Sequence, residues 1–169
     1  EELKNQYLKC SPFKFEGWRF NTGDGIKMVE DVGAKLWHMD MAISMYSMWT
    51  RDPEYDFSIL YFMPGFSYFN VNRLGKRFVN EGAERDVLCK NIFAQPDGTY
   101  WIVVNTLRYP DPDEPDANGA TINNMLALGH IVAGDTVEAL AGEMGVDAAN
   151  LQASIDAYNA VVEGGTDEF

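Results

Sequence analysis

Residues 70–86 read N-V-N-R-L-G-K-R-F-V-N-E-G-A-E-R-D, and this stretch decides the fold that we predict. Residues 72–76 hold an Asn and a Gly, which are turn formers, so the apolar segment before them should reverse direction there. Residues 77–79 then form the returning strand, and a short helix spans about 86–95. The stretch therefore predicts a strand, a turn, a second strand and a helix.

The same stretch concentrates positive charge in a chain that is acidic elsewhere. Its four basic residues are Arg73, Lys76, Arg77 and Arg85. Together with the neighbouring acids Glu81 and Glu84, they could form an ordinary salt-bridged surface. Guanidinium groups also bind small carboxylates through paired hydrogen bonds, so the cluster could equally be an anion site. The residues alone leave both interpretations open.

Apolar segments outside this stretch extend the predicted sheet. Residues 57–62 and 66–71 have the composition of two strands joined by a Pro64-Gly65 turn. Residues 100–104, Y-W-I-V-V, are rich in aromatic and β-branched side chains, which are typical of a strand. The methionine-rich stretch 36–49 begins with alternating apolar residues, and this pattern favours a further strand.

Helical patterns surround these strands. Residues 1–9 and 26–32 carry apolar side chains at helical spacing, and Gly33 is a natural stop for the second helix. Residues 135–138 resemble a capping box, and Asp147 precedes another helical stretch that continues to Gly164-Gly165. Helices and strands do not alternate in βαβ order, so we predict an α+β fold with a small mixed or antiparallel sheet and packed helices.

Composition excludes several classes of partner. The chain has 169 residues, of which 46% are apolar and 23% charged, so it can build one hydrophobic core. Its 26 acidic and 13 basic residues give a net charge of −13, which disfavours nucleic acids and anionic membrane surfaces. No apolar run approaches the length of a membrane span. Cys10 and Cys89 form no CxxC pair, so we predict no metal site.

Familiar catalytic motifs do not occur in the 169 residues. The chain has no GxGxxG, no HExxH and no nucleophile elbow, so the residues alone indicate only an acidic α+β domain. It begins at Glu1 without a Met and stops at Phe169 soon after a Gly-Gly pair. We therefore expect it to be a segment of a longer polypeptide.

Three sequence elements resemble one family of flavoproteins. Residues 71–86 have the form V-N-x-x-G-K-R-F-V-N-E-x-x-x-R-D, and residues 22–28, T-G-D-G-I-K-M, precede Gly33-Ala34. The closing segment 151–169 is similar to the last helix of the same family's capping domain. In this order the elements resemble the fumarate reductase and succinate dehydrogenase-like FAD-dependent flavoproteins. Residues 63–65, M-P-G, are similar to the ketosteroid-dehydrogenase-like branch.

This resemblance implies that the chain is the capping domain of such an enzyme. Residues 1–21 would be the connection from an absent FAD-binding domain, and residues 22–169 would be the cap. The implied partners are that FAD-binding domain of the same polypeptide and a small enoate or enone-like substrate. The implied reaction saturates, or forms, a C=C bond conjugated to a carbonyl. FAD would be held mainly by the absent domain, so we expect the isolated chain to carry no flavin and to be inactive.

The resemblance also assigns roles to individual residues. Arg85 matches the arginine that delivers a proton to the substrate, and the residues that match the family's FAD-contacting element are Thr22, Gly23, Asp24 and Gly25. A guanidinium hardly releases a proton near neutral pH, so Arg85 would need an acidic relay. The family's fumarate-reducing members have a Glu and an Arg of that relay where Tyr61 and Pro64 stand here. Glu81 or Glu84 could serve as the relay instead.

Two other interpretations belong to different functional classes. The chain could be a non-catalytic module whose basic segment captures a small anion or a protein partner, or a lid whose charged segment is only surface. Tight binding of dicarboxylates in the absence of flavin would favour the binding module. Loss of substrate reduction in an Arg85→Lys enzyme that still holds FAD would favour the oxidoreductase.

Overall fold

The fold mixes short antiparallel strand pairs with helices. The computed structural model describes residues 2–8, 20–40, 47–49, 58–60, 68–96, 99–115, 119 and 121–169. Two compact units divide the chain, the first made of residues 1–44 and 83–99 and the second of residues 45–82 and 100–169. Within the described ranges the helices and strands do not alternate as βαβ units, and the α+β class predicted from the sequence is confirmed.

The described part of the first unit contains three helices, α1 (Glu2–Tyr7), α2 (Asp24–Asp31) and α3 (Arg85–Phe93). Each lies where the apolar spacing predicts a helix. The amide of Gly33 donates to the carbonyl of Glu30 at 2.8 Å, and this turn ends α2 at the predicted stop. In α3 the buried side chains are Leu88, Cys89 and Ile92.

The residues described in the second unit form two antiparallel strand pairs. Strand β1 (Ser47–Trp49) pairs with β2 (Ser58–Leu60), and β3 (Tyr68–Asn72) pairs with β4 (Tyr100–Val104). In the second pair Val71 lies opposite Trp101, and Phe69 lies opposite Val103. Because side chains alternate along a strand, Phe69 and Val71 point to one face of this pair, and both belong to the core.

The two strands predicted at 57–62 and 66–71 are present as β2 and β3, and in the described part β2 pairs with β1 and β3 pairs with β4. Two other predictions about the strands fail where the structure describes them. Residues 77–79 form only a single bridge, Val71 to Arg77, because the amide of Arg77 donates to the Ser154 hydroxyl instead. Residues 36–40 form no strand, since His38 takes a left-handed φ of 53° and a turn follows at 39–40. Residues 41–46 lie outside the described residues, and 47–49 form β1. Pro64-Gly65 lies outside the described residues.

In the described residues after β4 and a short 3-10 turn at Thr106–Arg108, the helices are α4 (Ile122–Ala127), α5 (Val137–Met144) and α6 (Ala148–Val162). The cap of α6 is the predicted one, because the Asp147 carboxylate accepts from the amide of Asn150 at 2.8 Å. The cap of α5 is displaced by one residue from the predicted box at 135–138. There the Thr136 hydroxyl accepts from the amide of Ala139 at 3.1 Å.

The core of the second unit lies between the β3–β4 pair and helices α5 and α6. Its buried side chains are Phe69, Val71, Val103, Ala141, Met144 and Leu151. Leu151 and Val71 have no solvent exposure. Among the described helices there is none with the length and apolar character that crossing a membrane requires. The described side chains also contain no His, Cys, Asp and Glu grouping that could hold a metal ion.

Candidate active site

The turn after β3 is built by one asparagine and one glycine. The Asn72 side-chain oxygen accepts from the amides of Leu74 and Lys76 at 2.9 and 3.1 Å, which closes residues 72–76 into a compact loop. Gly75 takes a φ of +76°, and a Cβ at this position would lie 2.9 Å from the carbonyl oxygen of Asp147. A glycine is therefore required both by the backbone conformation and by the close approach of the α6 start.

Helix α6 holds this turn through side-chain hydrogen bonds. The Ser154 hydroxyl donates to the carbonyl of Gly75 at 2.9 Å and accepts from the amide of Arg77 at 3.0 Å. The Asn150 carboxamide donates to the carbonyl of Leu74 at 2.9 Å. Backbone groups that would otherwise be unpaired next to the core are thereby satisfied, and the turn is fixed to one face of α6.

The guanidinium of Arg77 is clamped by two carboxylates. It donates to Glu81 from Nη2 at 2.7 Å, and to Asp167 from Nη1 and Nη2 at 2.8 and 2.9 Å. The two acidic partners bind different edges of the planar group, an arrangement that the ammonium of a lysine could not reproduce. The Arg77 side chain is only 5% exposed.

Aromatic rings cover the faces of the same guanidinium. Its central carbon lies 5.3 Å from the centroid of the Tyr158 ring and 5.2 Å from that of Phe169. Burial lowers the pKa of Arg77, but its hydrogen bonds and charge pairing with Asp167 and Glu81 outweigh this effect and raise the pKa above its ordinary value. The hydrogen bond from Arg77 lowers the pKa of Asp167, although partial burial opposes the shift. Arg77 and Asp167 are therefore both held in their ionised forms.

Both carboxylate oxygens of Glu81 already accept hydrogen bonds from neighbouring groups. Its Oε1 accepts from the amide of Asn70 at 2.7 Å, and both of its oxygens accept from Arg77. Its side chain is 9% exposed. Arg77 and Glu81 together tie the end of the turn to β3 and to the C-terminal segment, and this arrangement suits a structural role.

Arg85 lies in a different setting. It is the first residue of α3, it is exposed, and it forms no ion pair with any residue in the described ranges. A cation at this end of a helix faces the positive pole of the helix dipole, which is electrostatically unfavourable. Glu84, the residue before it, is also exposed, and its side chain does not cap the helix.

The T-G-D-G element forms the turn that starts α2. Gly23 has a φ of +82°, and its carbonyl accepts from the amide of Ile26 at 3.0 Å. The Thr22 hydroxyl donates to the Asp24 carboxylate at 2.7 Å, and both side chains are exposed. A Cβ at Gly25 would meet no atom within 4 Å, so the backbone at the helix start can be approached closely.

These groups fit a contact with a polyol or another hydroxyl-bearing part of a cofactor. The Asp24 carboxylate can accept hydrogen bonds from hydroxyl groups, and the exposed amides at the start of α2 can donate. The 169 residues contain no glycine-rich fingerprint for a pyrophosphate. The element therefore offers hydrogen-bond acceptors and donors to a hydroxyl-bearing ligand.

The structure distributes the sequence-predicted residues over both units. Thr22 to Gly25 lie in the first unit, as do Glu84 and Arg85, whereas Glu81 lies in the second. Within the described residues it joins Thr22 to Asp24 and Glu81 to Arg77 by hydrogen bonds. Tyr61 and Pro64 stand where the resemblance implies a Glu and an Arg of the proton relay in fumarate-reducing members. Both residues lie outside the described residues.

Sequence reasoning missed three residues that matter to this region. Ser154, Tyr158 and Asp167 surround Arg77, yet they follow it by 77 to 90 positions in the sequence. A signal was available in the closing segment, because Tyr158 and Asp167 are among the residues that carry the family resemblance. Spacing alone could not show which basic residue they would contact.

A comparison with models of protein families identifies the chain. Residues 13–168 match the family described as the FAD binding domain. The chain belongs to this family of FAD-dependent flavoproteins. The family is described as the FAD-binding domain as a whole, and this description does not distinguish a capping portion.

Known members of this group include reductases of unsaturated acids. The chain is 34% identical over 146 residues to an NADH:acrylate oxidoreductase of Vibrio harveyi, a match that covers 86% of the chain and 14% of the relative. It is 30% identical over 97 residues to a urocanate reductase of Eggerthella lenta, covering 57% and 16%. It is also 28% identical to a probable fumarate reductase of Shewanella frigidimarina, covering 86% and 23%. The family is thus one of flavoprotein oxidoreductases.

A solved structure supports the same placement. The open conformation of a flavocytochrome c3 fumarate reductase superposes with a TM-score of 0.54 at 27% identity, over 87% of the chain and 24% of that protein. The chain spans less than a quarter of the length of each of these relatives and of this structure.

Proposed function

We propose that the chain is the capping part of an FAD-dependent oxidoreductase that reduces, or forms, a C=C bond conjugated to a carbonyl. Residues 22–169 form the cap, and residues 1–21 connect it to the FAD-binding domain of the same polypeptide. Acrylate, urocanate and fumarate, which the names of the relatives mention, share such a bond next to a carboxylate. A small enoate, or a related enone, is therefore the substrate class that we favour.

The observation that carries this proposal is the contrast between Arg77 and Arg85. The polar edges of Arg77 are occupied by Glu81 and Asp167, so this cation has a structural role. Arg85 is exposed at an unfavourable end of α3 and forms no ion pair within the described part of the chain. A cation kept in that position with no ion-pair partner among the described residues is suited to an anionic or electron-rich substrate.

Arg85 is proposed to act as the proton donor. Reduced FAD, when held by the full polypeptide, would supply the hydride for the other alkene carbon and would be oxidised in doing so. The guanidinium of Arg85 would donate a proton to the carbon next to the carbonyl and would then be reprotonated by an acid. Glu84 is the better candidate for that acid, because its carboxyl group is exposed, whereas both oxygens of Glu81 are bonded to Arg77.

The T-G-D-G turn is proposed to contribute one contact to FAD. Asp24 would accept from a cofactor hydroxyl, Thr22 orients that carboxylate, and Gly23 and Gly25 permit the backbone geometry and close approach. The larger part of the cofactor site belongs to the rest of the polypeptide. The isolated chain is therefore expected to purify without flavin and to show no turnover.

The decisive experiment replaces Arg85 by Lys in the full-length enzyme. Lysine keeps the charge but not the planar group, so reduction of fumarate, acrylate or urocanate should fall by roughly 100-fold or more while flavin absorbance remains. The matched control is Lys76→Met, which removes an exposed cation from the same stretch, residues 70–86, and should leave the activity unchanged. Undiminished turnover in the Arg85→Lys enzyme contradicts the assignment.

A binding experiment separates the proposal from a non-catalytic anion module. The full-length protein would be titrated with succinate before and after its flavin is removed, with Arg85→Lys as the comparison. The oxidoreductase proposal expects substrate reduction by the flavin-loaded protein. The binding module is favoured if succinate binds tightly with an affinity that is unchanged by removal of flavin or by Arg85→Lys, and if fumarate, acrylate and urocanate are not reduced.

A further inference from the structure

Helix α2 presents an apolar face to solvent. Met28 is 68% exposed, Val29 46% and Val32, which caps the C-terminal end, 84%. None of the residues of α2 is buried. An α-helix repeats every 3.6 residues, so these three side chains lie on one side of α2, which we call the α2 apolar face.

The opposite side of α2 is polar. Lys27 pairs with Glu2 at 3.2 Å, and Glu30 and Asp31 are exposed. Gly25 lies on the apolar side, and a Cβ added there would meet no atom within 4 Å, so a partner could approach the backbone closely at this point. A helix with this separation of apolar and polar sides is normally covered along its apolar side.

We propose that the α2 apolar face docks against the flanking part of the same polypeptide, the part that carries FAD. This inference rests on the proposed function and adds to it a contact surface in the first unit. The docked face would hold the T-G-D-G turn, which directly precedes it, against the cofactor that the flanking part binds. Met28, Val29 and Val32 would be positioning residues for that turn and would not touch the substrate.

Two observations favour this occupant over a second copy of the chain. The matched relatives are several times longer, and the chain covers only 14% to 23% of those named above, so such a protein has ample additional surface. The chain also carries a net charge of −13, and the rim of α2 contains Asp24, Glu30 and Asp31. Pairing two copies through α2 would bring these like charges together.

The test measures thiol labelling in the full-length protein. Met28→Cys and Val32→Cys place a thiol on the α2 apolar face, and Glu30→Cys places one on the polar side as the matched control. Labelling by a maleimide would be quantified on the peptide that carries each position, with the unfolded protein as the reference for reactivity. We expect positions 28 and 32 to react about tenfold or more slowly relative to position 30.

Each outcome decides the inference. Protection at 28 and 32 that is independent of protein concentration supports docking within one polypeptide. Equal labelling at all three positions overturns it, and protection that disappears on dilution overturns it in favour of a second copy. The measurement needs no turnover, so it remains valid if the enoate activity fails, and an active enzyme with an accessible α2 face would reject this inference alone.

Discussion

Arg77 binds Asp167 through two parallel hydrogen bonds of 2.8 and 2.9 Å, although the two residues are 90 positions apart in the sequence. This pair joins the turn after β3 to the segment that follows α6. The third charge, Glu81, binds the remaining edge of the guanidinium and also the amide of Asn70. One arginine thus connects the turn, a strand and the C-terminal segment of the second unit.

Removing this arginine should destabilise the second unit strongly. Arg77→Met leaves the carboxylates of Glu81 and Asp167 without a cation, and the loss of one member of a buried ion pair costs about 3–5 kcal/mol. The change would be measured as a lower urea midpoint at an unchanged slope. Lys76→Met, which removes a neighbouring exposed cation, should change the free energy of unfolding by no more than about 0.5 kcal/mol. Similar effects of the two substitutions would contradict the clamp.

Asp167 should make stability depend on acid pH. Its pKa is lowered from the ordinary 3.8 in the folded chain, so its contribution is fully present above that value and is lost as the pH falls through the lower folded value. Urea midpoints would be compared between wild type and Asp167→Asn from about pH 6 down to about pH 2. The wild type should be the more stable protein at neutral pH, and its advantage should shrink below about pH 4. An advantage that stays constant down to the lowest pH would contradict the ion pair.

The local elements of this fold could be predicted because each is fixed by neighbouring residues. Asp147 caps α6 and the aromatic and β-branched run forms β4, and both lie where the sequence predicts them. The strand pairing could not be predicted, because β3 could pair with either of two apolar neighbours and only the packed unit selects β4.

The candidate site was predictable to a similar extent. Its residue types and order indicated a family and singled out Arg85, whose role stays a prediction. They could not show that Arg77, rather than Arg73 or Arg85, would be the buried cation. That choice is made by α6 and the C-terminal segment, which supply Ser154, Tyr158 and Asp167 from far along the chain.

Gly75 should tolerate no side chain. Gly75→Ala combines a left-handed φ of +76° with a Cβ that would lie 2.9 Å from the Asp147 carbonyl, so we expect a loss of about 2–4 kcal/mol. Gly129→Ala is the matched control, since Gly129 also has a positive φ, of +69°, but no atom lies within 4 Å of its Cβ position. That variant should lose about 1–2 kcal/mol from backbone strain alone. Equal losses would show that the contact with α6 contributes nothing.

Two asparagines of β3 should respond oppositely to the same substitution. Asn70 is fully buried, and neither its side-chain nitrogen nor its oxygen has a hydrogen-bond partner among the described residues, so Asn70→Leu should be neutral or stabilising by about 1 kcal/mol. Asn72→Leu removes the acceptor for the amides of Leu74 and Lys76 and should cost about 2 kcal/mol. Urea unfolding of the two variants measures the difference. Destabilisation by Asn70→Leu as large as that by Asn72→Leu would mean that the Asn70 carboxamide is bonded in solution.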